Sequence, residues 1–138
     1  MKINADKEGL ITVGAHDSRI TQSGRFLRKF KLDEFPQLFN VLAGEMSIVG
    51  PRPEVAKYVE MYTPEQRKVL SVLPGLTDYA SLEYFEENEL LAKSENPEKT
   101  YIEEVLPEKI QLNLQYIEDQ STSTDLKIIL KTIGKILS

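Results

Sequence analysis

The chain has 138 residues, of which 41% are hydrophobic and 28% are charged, and its formal net charge is −5. This length suits one folded domain with a modest core, and the negative net charge argues against general nucleic-acid binding. The chain lacks cysteine, which excludes disulfides, thiolate zinc sites and cysteine nucleophiles. Its apolar runs do not exceed three residues, so the sequence predicts a soluble cytoplasmic chain without a transmembrane helix or signal peptide.

Charge is distributed unevenly along the chain. Residues 83–108 carry nine acidic side chains against Lys93 and Lys99. Residues 19–31 carry five basic side chains and no acidic one. The net value therefore hides a local cationic patch near the N-terminus.

Residues 1–22 are predicted to form a loop region, with room for one short strand near Leu10 and Val13. His16, the only histidine, is interpreted as a solvated loop residue. A helix is expected to begin near Gly24, capped by Thr21 or Ser23. Its aromatic and basic residues would lie on different sides, which fits a half-buried surface helix or an element that binds phosphate or a membrane interface.

The next helix is predicted to begin with Asp33 as its N-cap and Glu34 in its first turn, and to end at Gly44. Its buried face would consist of Leu38, Phe39, Val41 and Leu42. Capping alone would account for both carboxylates. A helix N-terminus also favours anions, so a carboxylate there would stay ionised and able to bind a metal or attack phosphorus.

The segment Gly50-Pro51-Arg52-Pro53 is predicted to be a rigid turn. Proline on each side restricts the backbone at Arg52, so the guanidinium would be held in a way that suits bidentate phosphate recognition. The alternative is a surface turn with an incidental arginine. A carboxylate pair between two cationic elements nevertheless suggests a site for a metal and a phosphorylated substrate.

The remainder of the chain is predicted to be largely helical, with one short strand or irregular loop at 76–82. Thr63 and Asn96 are expected to cap two of the helices. The alternation at 110–116 is strand-like, but its wider spacing favours a helix. The predicted helices lie at 54–61, 64–72, 86–93, 97–106 and 110–116.

The last helix, capped by Ser123 or Thr124, has an apolar stripe that is expected to pack in the core. The stripe comprises Leu126, Ile129, Leu130, Ile133 and Leu137. The predicted fold class is mainly α: a compact set of short amphipathic helices with long loops and at most a small strand element.

Several of these segments, in this order, resemble the bacterial sugar transferases, which are monotopic polyprenyl-phosphate phosphoglycosyl transferases. The likeness covers nearly the whole chain and implies a single catalytic domain. Within it, 1–22 would be the N-terminal loop region, 23–53 the active-site region and 54–138 the helical C-terminal part. The matching segments are 19–21, 24–29, 32–38, 40–42, 44–47, 49–53 and 74–77, with Tyr116 and 125–127 near the end.

The resemblance implies an enzyme that transfers a sugar-1-phosphate from a UDP-sugar to polyprenyl (undecaprenyl) phosphate. Such enzymes initiate capsule, lipopolysaccharide O-antigen, exopolysaccharide or glycoprotein glycans. By the same likeness, Asp33 would be the nucleophile that forms a covalent phosphosugar intermediate, and Asp33 and Glu34 would be the catalytic pair that holds Mg2+. Substrate phosphate binding would fall to four arginines: Arg28, Arg52, Arg19 and Arg25.

Two positions depart from the family pattern. Asp78 stands where many members have glycine, and Asn113 where many have aspartate, which suggests a branch with a different sugar specificity. Members also carry a hydrophobic re-entrant membrane segment before this region, so the chain is expected to be a fragment or a truncated form.

The family works at the cytoplasmic face of the inner membrane. Attachment of this chain to that membrane surface would depend on Phe26, Phe30 and Phe35. The alternative function is that of a truncated, inactive paralogue that serves as a nucleotide-sugar-binding or interaction module.

Overall fold

The structure, a computed structural model, describes residues 2–4, 7, 9–14 and 16–138. It confirms the mainly α prediction. Two 3-10 segments (Leu32–Glu34 and Gln66–Ser71) and one π-helical segment (Tyr101–Val105) connect the α-helices. The α-helices are α1 (Gln22–Lys29), α2 (Gln37–Leu42), α3 (Ala56–Val59), α4 (Tyr79–Glu83), α5 (Glu87–Ala92), α6 (Pro97–Thr100), α7 (Leu106–Asp119) and α8 (Thr122–Leu137).

Two short strands, β1 (Ser47–Val49) and β2 (Gly75–Thr77), form a parallel pair. Ser47 lies opposite Gly75 and Val49 opposite Thr77. The prediction of a strand or loop at 76–82 is thus half right, because the strand ends at Thr77 and α4 follows it.

The strand allowed for near Leu10 and Val13 is not formed among residues 9–14, which the structure describes. The Arg19 guanidinium donates hydrogen bonds to the carbonyl oxygens of Gly9 and Ile11. These contacts use carbonyls that a strand would need for its ladder.

Helix α7 lies at the centre of the main core, where it continues from the π-helical segment and packs against the 3-10 segment Gln66–Ser71. The helical interpretation of 110–116 is confirmed, since these residues fall within α7. A smaller apolar cluster joins Val49, Tyr116 and Ile128. The main cluster consists of Tyr58, Val69, Leu91, Tyr101, Val105, Leu106 and Ile110.

The cap predictions are partly correct. Thr21 accepts a hydrogen bond from the Gly24 amide and so caps α1, and Asn96 accepts one from the Lys99 amide at the start of α6. Helix α8 begins earlier than predicted, because Ser121 rather than Ser123 or Thr124 is its N-cap.

The predicted core face of α8 is wrong. Leu130 is 68% exposed and Leu126, Ile133 and Leu137 are exposed too, whereas Ile128 is buried. Polar contacts orient the helix this way: the Thr132 hydroxyl lies 2.8 Å from that of Thr77, and Asp125 accepts a 2.7 Å hydrogen bond from Tyr116. Four of the five stripe residues therefore face outward, and the fifth, Ile129, is partly buried against the smaller apolar cluster.

The predicted buried face of α2 is wrong as well. Leu38, Phe39 and Leu42 are exposed, with Phe39 at 75%, and Val41 is only partly buried. The expected end of the helix is correct, because Gly44 follows it with a φ of +79°. No helix in the described part of the chain is long and apolar enough to cross a bilayer.

Gly50, which directly follows β1, and Gly75, the first residue of β2, allow the two backbones to cross closely. A Cβ atom at Gly75 would lie 2.1 Å from the Gly50 nitrogen, and one at Gly50 would lie 2.7 Å from the Leu73 carbonyl oxygen. The Gly75 amide also donates a 3.0 Å hydrogen bond to the Pro51 carbonyl. This crossing fixes the position of the segment that carries Arg52.

Candidate functional site

The two adjacent carboxylates, Asp33 and Glu34, lie in the 3-10 segment between α1 and α2. Lys31 has a φ of 55°, which turns the chain after α1, and the Phe35 amide donates to the Leu32 carbonyl at 3.2 Å. The prediction that Asp33 is the N-cap of α2 is therefore wrong. The positive φ at Lys31 starts a separate short turn, and α2 begins only after Pro36.

Each carboxylate faces a guanidinium from a different element. The Arg28 Nε atom lies 3.9 Å from Asp33 Oδ2, and Arg52 Nη1 lies 3.0 Å from both Glu34 carboxylate oxygens. These four side chains are between 30% and 38% exposed. The site therefore combines negative and positive groups that a ligand can reach.

The predicted turn at 50–53 is only a bend at Gly50 followed by residues without a turn, yet Arg52 is held at several points. Its Nη1 atom donates to the Leu76 carbonyl at 3.1 Å, and its backbone amide donates to Asp78 Oδ2 at 3.3 Å. Asp78 is fully buried and also caps α4 by accepting a 2.7 Å hydrogen bond from the Ser81 amide. Asp78 thus ties the arginine segment to α4, a role that its position in the sequence did not reveal.

A cavity of about 340 Å³ lies on the Glu34 side of the Asp33–Glu34 dyad, and neither Asp33 nor Arg28 is among its lining residues. Glu34 and Arg52 line it, together with Lys31 and Thr12. Arg28 is connected to the same region, because its Nη1 atom donates to the Thr12 hydroxyl at 3.3 Å. Thr12 and Lys31 were not predicted to lie at the site. The basic residues at 28–31, which Phe30 interrupts, are the sequence signal for Lys31, and the sequence has none for Thr12.

The other two predicted phosphate-binding arginines are not brought to the dyad. Arg19 is buried, and its guanidinium forms a 2.6 Å ion pair with Asp17 besides its contacts with backbone carbonyls. The pair lowers the pKa of the Asp17 carboxyl well below its usual range, because the Arg19 side chain donates hydrogen bonds to it. Arg25 is exposed on α1 and has no ion pair with any residue that the structure describes.

The residues at the dyad fit the magnesium ion implied by the family resemblance. Mg2+ retains several waters and is bound by one or two carboxylates together with substrate phosphates. Asp33 and Glu34 supply two adjacent carboxylates of this kind. Among the described residues, no three acidic or histidine side chains form a cluster that could hold a metal ion. A Mg2+ site that also uses substrate phosphates as ligands does not need such a cluster.

Tyrosines form much of the remaining cavity wall. Burial raises the pKa of Tyr62 to about 12. Burial and the nearby Glu54 carboxylate, which accepts a hydrogen bond from the Tyr101 hydroxyl, raise the pKa of Tyr101 still further. These hydroxyls stay protonated at neutral pH and can act as hydrogen-bond donors.

Comparison with known proteins identifies the family of the chain. The family described as bacterial sugar transferase matches residues 1–138. An uncharacterized sugar transferase, EpsL, of Bacillus subtilis is 36% identical over 119 residues, which cover 86% of this chain and 51% of that protein.

Two further relatives have more specific names. A UDP-glucose:undecaprenyl-phosphate glucose-1-phosphate transferase of Xanthomonas campestris is 38% identical over 125 residues, 88% of this chain and 24% of the relative. An undecaprenyl-phosphate galactose phosphotransferase of Salmonella typhimurium is 55% identical over 62 residues, 45% of this chain and 13% of the relative. The chain spans about half or less of the length of these relatives. The match over residues 1–138 confirms the resemblance, and the chain belongs to the bacterial sugar transferase family.

Proposed function

We propose that this chain transfers a sugar-1-phosphate from a UDP-sugar to undecaprenyl phosphate. The observation that carries the proposal is the pairing of two adjacent, accessible carboxylates with two guanidinium groups beside a cavity. The names of the relatives from Xanthomonas campestris and Salmonella typhimurium support the acceptor and the type of group transferred.

In the proposed first step, a carboxylate oxygen of Asp33 attacks the phosphorus that carries the sugar. A bond from that phosphorus to Asp33 forms, the bond to the bridging oxygen of the diphosphate breaks, and UMP leaves with the electron pair. The product is an aspartyl phosphosugar on the protein. Asp33 suits this role because its side chain is 38% exposed and the Arg28 guanidinium lies beside it, 3.9 Å from Oδ2.

In the second step, a phosphate oxygen of the lipid attacks the same phosphorus and the Asp33 carboxylate leaves. Lipid diphosphate-sugar is released and the carboxylate is regenerated. The two phosphate substrates can use the same cationic site in turn, so Arg28 and Arg52 would stabilise charge in both steps.

Asp33 and Glu34 would hold Mg2+, which when bound neutralises the diphosphate and makes UMP a better leaving group. Glu34 is also paired with Arg52 at 3.0 Å. This contact orients the Glu34 carboxylate and at the same time holds the guanidinium close to the position of the diphosphate.

The exposed apolar side chains of α1, α2 and α8 support work at a membrane surface. Phe26, Phe30 and Phe35 are 60%, 46% and 58% exposed. Phe30 and Leu137 line the same surface depression, so the ends of α1 and α8 lie close together. Aromatic residues beside basic ones favour binding at the interface of an anionic bilayer, where the lipid acceptor lies. A role in starting a surface glycan would follow from this location.

The test is release of UMP from UDP-sugars in the presence of undecaprenyl phosphate and Mg2+, with the protein presented in membranes. Asp33→Asn should reduce turnover by at least a thousandfold, because the amide cannot form the intermediate. Asp119→Asn is the matched control, since Asp119 is an exposed residue outside the cavity whose carboxylate accepts a hydrogen bond from Tyr79. UMP release by Asp33→Asn at the rate of the control would refute the proposed mechanism.

A further inference from the structure

The cavity beside the dyad contains more polar groups than phosphate chemistry requires. Tyr58, Ser81 and Asn113 line it, and each has a buried side-chain oxygen without a hydrogen-bond partner in the described part of the chain. Tyr58 and Asn113 are only 2% and 8% exposed. A buried oxygen without a partner costs about 1–3 kcal/mol, and folded proteins retain few of them.

These three residues come from three separate helices. Tyr58 lies in α3, Ser81 in α4 and Asn113 in α7. An apolar residue at each position would fill the same core without leaving an unpaired oxygen. Their convergence on one cavity therefore indicates that a ligand supplies the missing partners.

The chemistry of the cavity indicates what kind of ligand this is. The unpaired atoms are two hydroxyls and an amide oxygen, which can donate to and accept from neutral hydroxyl groups. Tyr62 and Tyr101 add aromatic surface to the wall. A volume of about 340 Å³ is at the lower end for ligand pockets, so it suits one ring of a nucleotide sugar rather than the whole molecule.

We propose that Tyr58, Ser81 and Asn113 form the subsite that recognises the hydroxyl groups of the donor sugar. This inference rests on the proposed function. In that reaction the sugar is attached to the phosphorus that Asp33 attacks, so the sugar lies next to the dyad. Glu34 and Arg52 line the same cavity as the three residues, which places the subsite within reach of a sugar at that position.

The three residues determine specificity rather than catalyse the reaction. A site built to hydrogen-bond a hydroxyl rejects a substrate that lacks it, because its own buried polar groups then stay unpaired. Epimers such as glucose and galactose differ in the direction of one hydroxyl, so they should be distinguished here.

The test measures the Kd of UDP-glucose, UDP-galactose, UDP-N-acetylgalactosamine and UDP by titration calorimetry with the full chain. We expect each of three substitutions to raise the Kd of the best-bound UDP-sugar by about threefold to tenfold: Tyr58→Phe, Ser81→Ala and Asn113→Leu. An increase of this size corresponds to the loss of one hydrogen bond. The Kd of UDP should stay within twofold of wild type. Tyr79→Phe is the matched control, because the Tyr79 hydroxyl contacts exposed Asp119 and the residue does not line the cavity.

A stability measurement separates recognition from a structural role. Without ligand, Tyr58→Phe should have a Tm equal to or above that of wild type, since it removes a buried oxygen that lacks a partner. A lower Tm would show that the hydroxyl has a structural partner, and would overturn its assignment to the subsite.

The remaining outcomes are also decisive. An equal increase in the Kd of UDP and of the UDP-sugar would assign the cavity to the nucleoside. Unchanged UDP-sugar binding in all three variants would show that the sugar lies elsewhere. Either result overturns the subsite and leaves the proposed function standing. Failure of the wild-type chain to bind any of the four compounds would overturn both.

Discussion

Replacement of Arg52 by alanine tests the phosphate-binding role of the most firmly held guanidinium in the site. Arg52 contacts both Glu34 oxygens and the Leu76 carbonyl through Nη1. Hydrogen bonds to charged groups contribute about 1.5–3 kcal/mol, so loss of the guanidinium should raise the Kd of UDP roughly 10- to 150-fold. The pair with Glu34 is about one-third exposed and should contribute only about 1 kcal/mol or less to stability.

The assay is titration of UDP, with thermal unfolding to verify that the variant is folded. Arg52→Lys should recover part of the affinity, because lysine restores the charge but not the bidentate geometry. Arg67→Ala serves as the control, since Arg67 is an exposed arginine outside the cavity. A folded Arg52→Ala protein that binds UDP within twofold of wild type would refute the assignment.

Three further predictions concern the pair at Asp17, the glycine crossing and the apolar surface. Asp17→Asn should lower the free energy of unfolding at pH 7, measured by chemical denaturation, by about 1–3 kcal/mol. The pKa of Asp17 is lower in the folded chain than its ordinary value of 3.8, so this difference in stability from wild type should persist above pH 4 and shrink in stronger acid. Gly75→Ala should greatly lower Tm and weaken UDP binding, because its Cβ would lie 2.1 Å from the Gly50 nitrogen, and a normal Tm would contradict the close crossing. Phe39→Glu should reduce flotation of the protein with anionic phospholipid vesicles, because it removes an apolar ring from the surface. Tm should not change, since the ring is 75% exposed. Unchanged flotation would exclude this face of α2 from membrane contact.

Local features were predictable from the sequence because their causes lie within a few residues. Thr21 and Asn96 cap their helices as expected, and Gly44 ends α2 with a positive φ. In each case the side chain or backbone requirement is satisfied by neighbours in the chain.

The direction in which a helix faces was not predictable in the same way. The stripe of α8 has ideal spacing for a buried face, yet Leu130 is exposed and Ile128 is buried. Contacts of Asp125 with Tyr116 and of Thr132 with Thr77 decide the orientation. Such pairs join residues distant in sequence, and hydrophobic periodicity contains no information about them.

At the candidate site, too, local features were predictable from the sequence and long-range contacts were not. The sequence places Asp33 beside Glu34, but the assignment of one carboxylate to Arg28 and the other to Arg52 depends on the turn at Lys31. The convergence of distant residues on the cavity depends on how α3, α4 and α7 pack, which no short motif encodes.

The covalent intermediate is tested most directly by the mass of the intact protein after incubation with a UDP-sugar and Mg2+ in the absence of lipid acceptor. We expect a species heavier by one sugar-phosphate group, located at Asp33 by peptide fragmentation, released by undecaprenyl phosphate and absent from Asp33→Asn. UMP release by the wild-type protein without any such adduct, or an adduct that persists in Asp33→Asn, would contradict the central claim that Asp33 forms a bond to phosphorus.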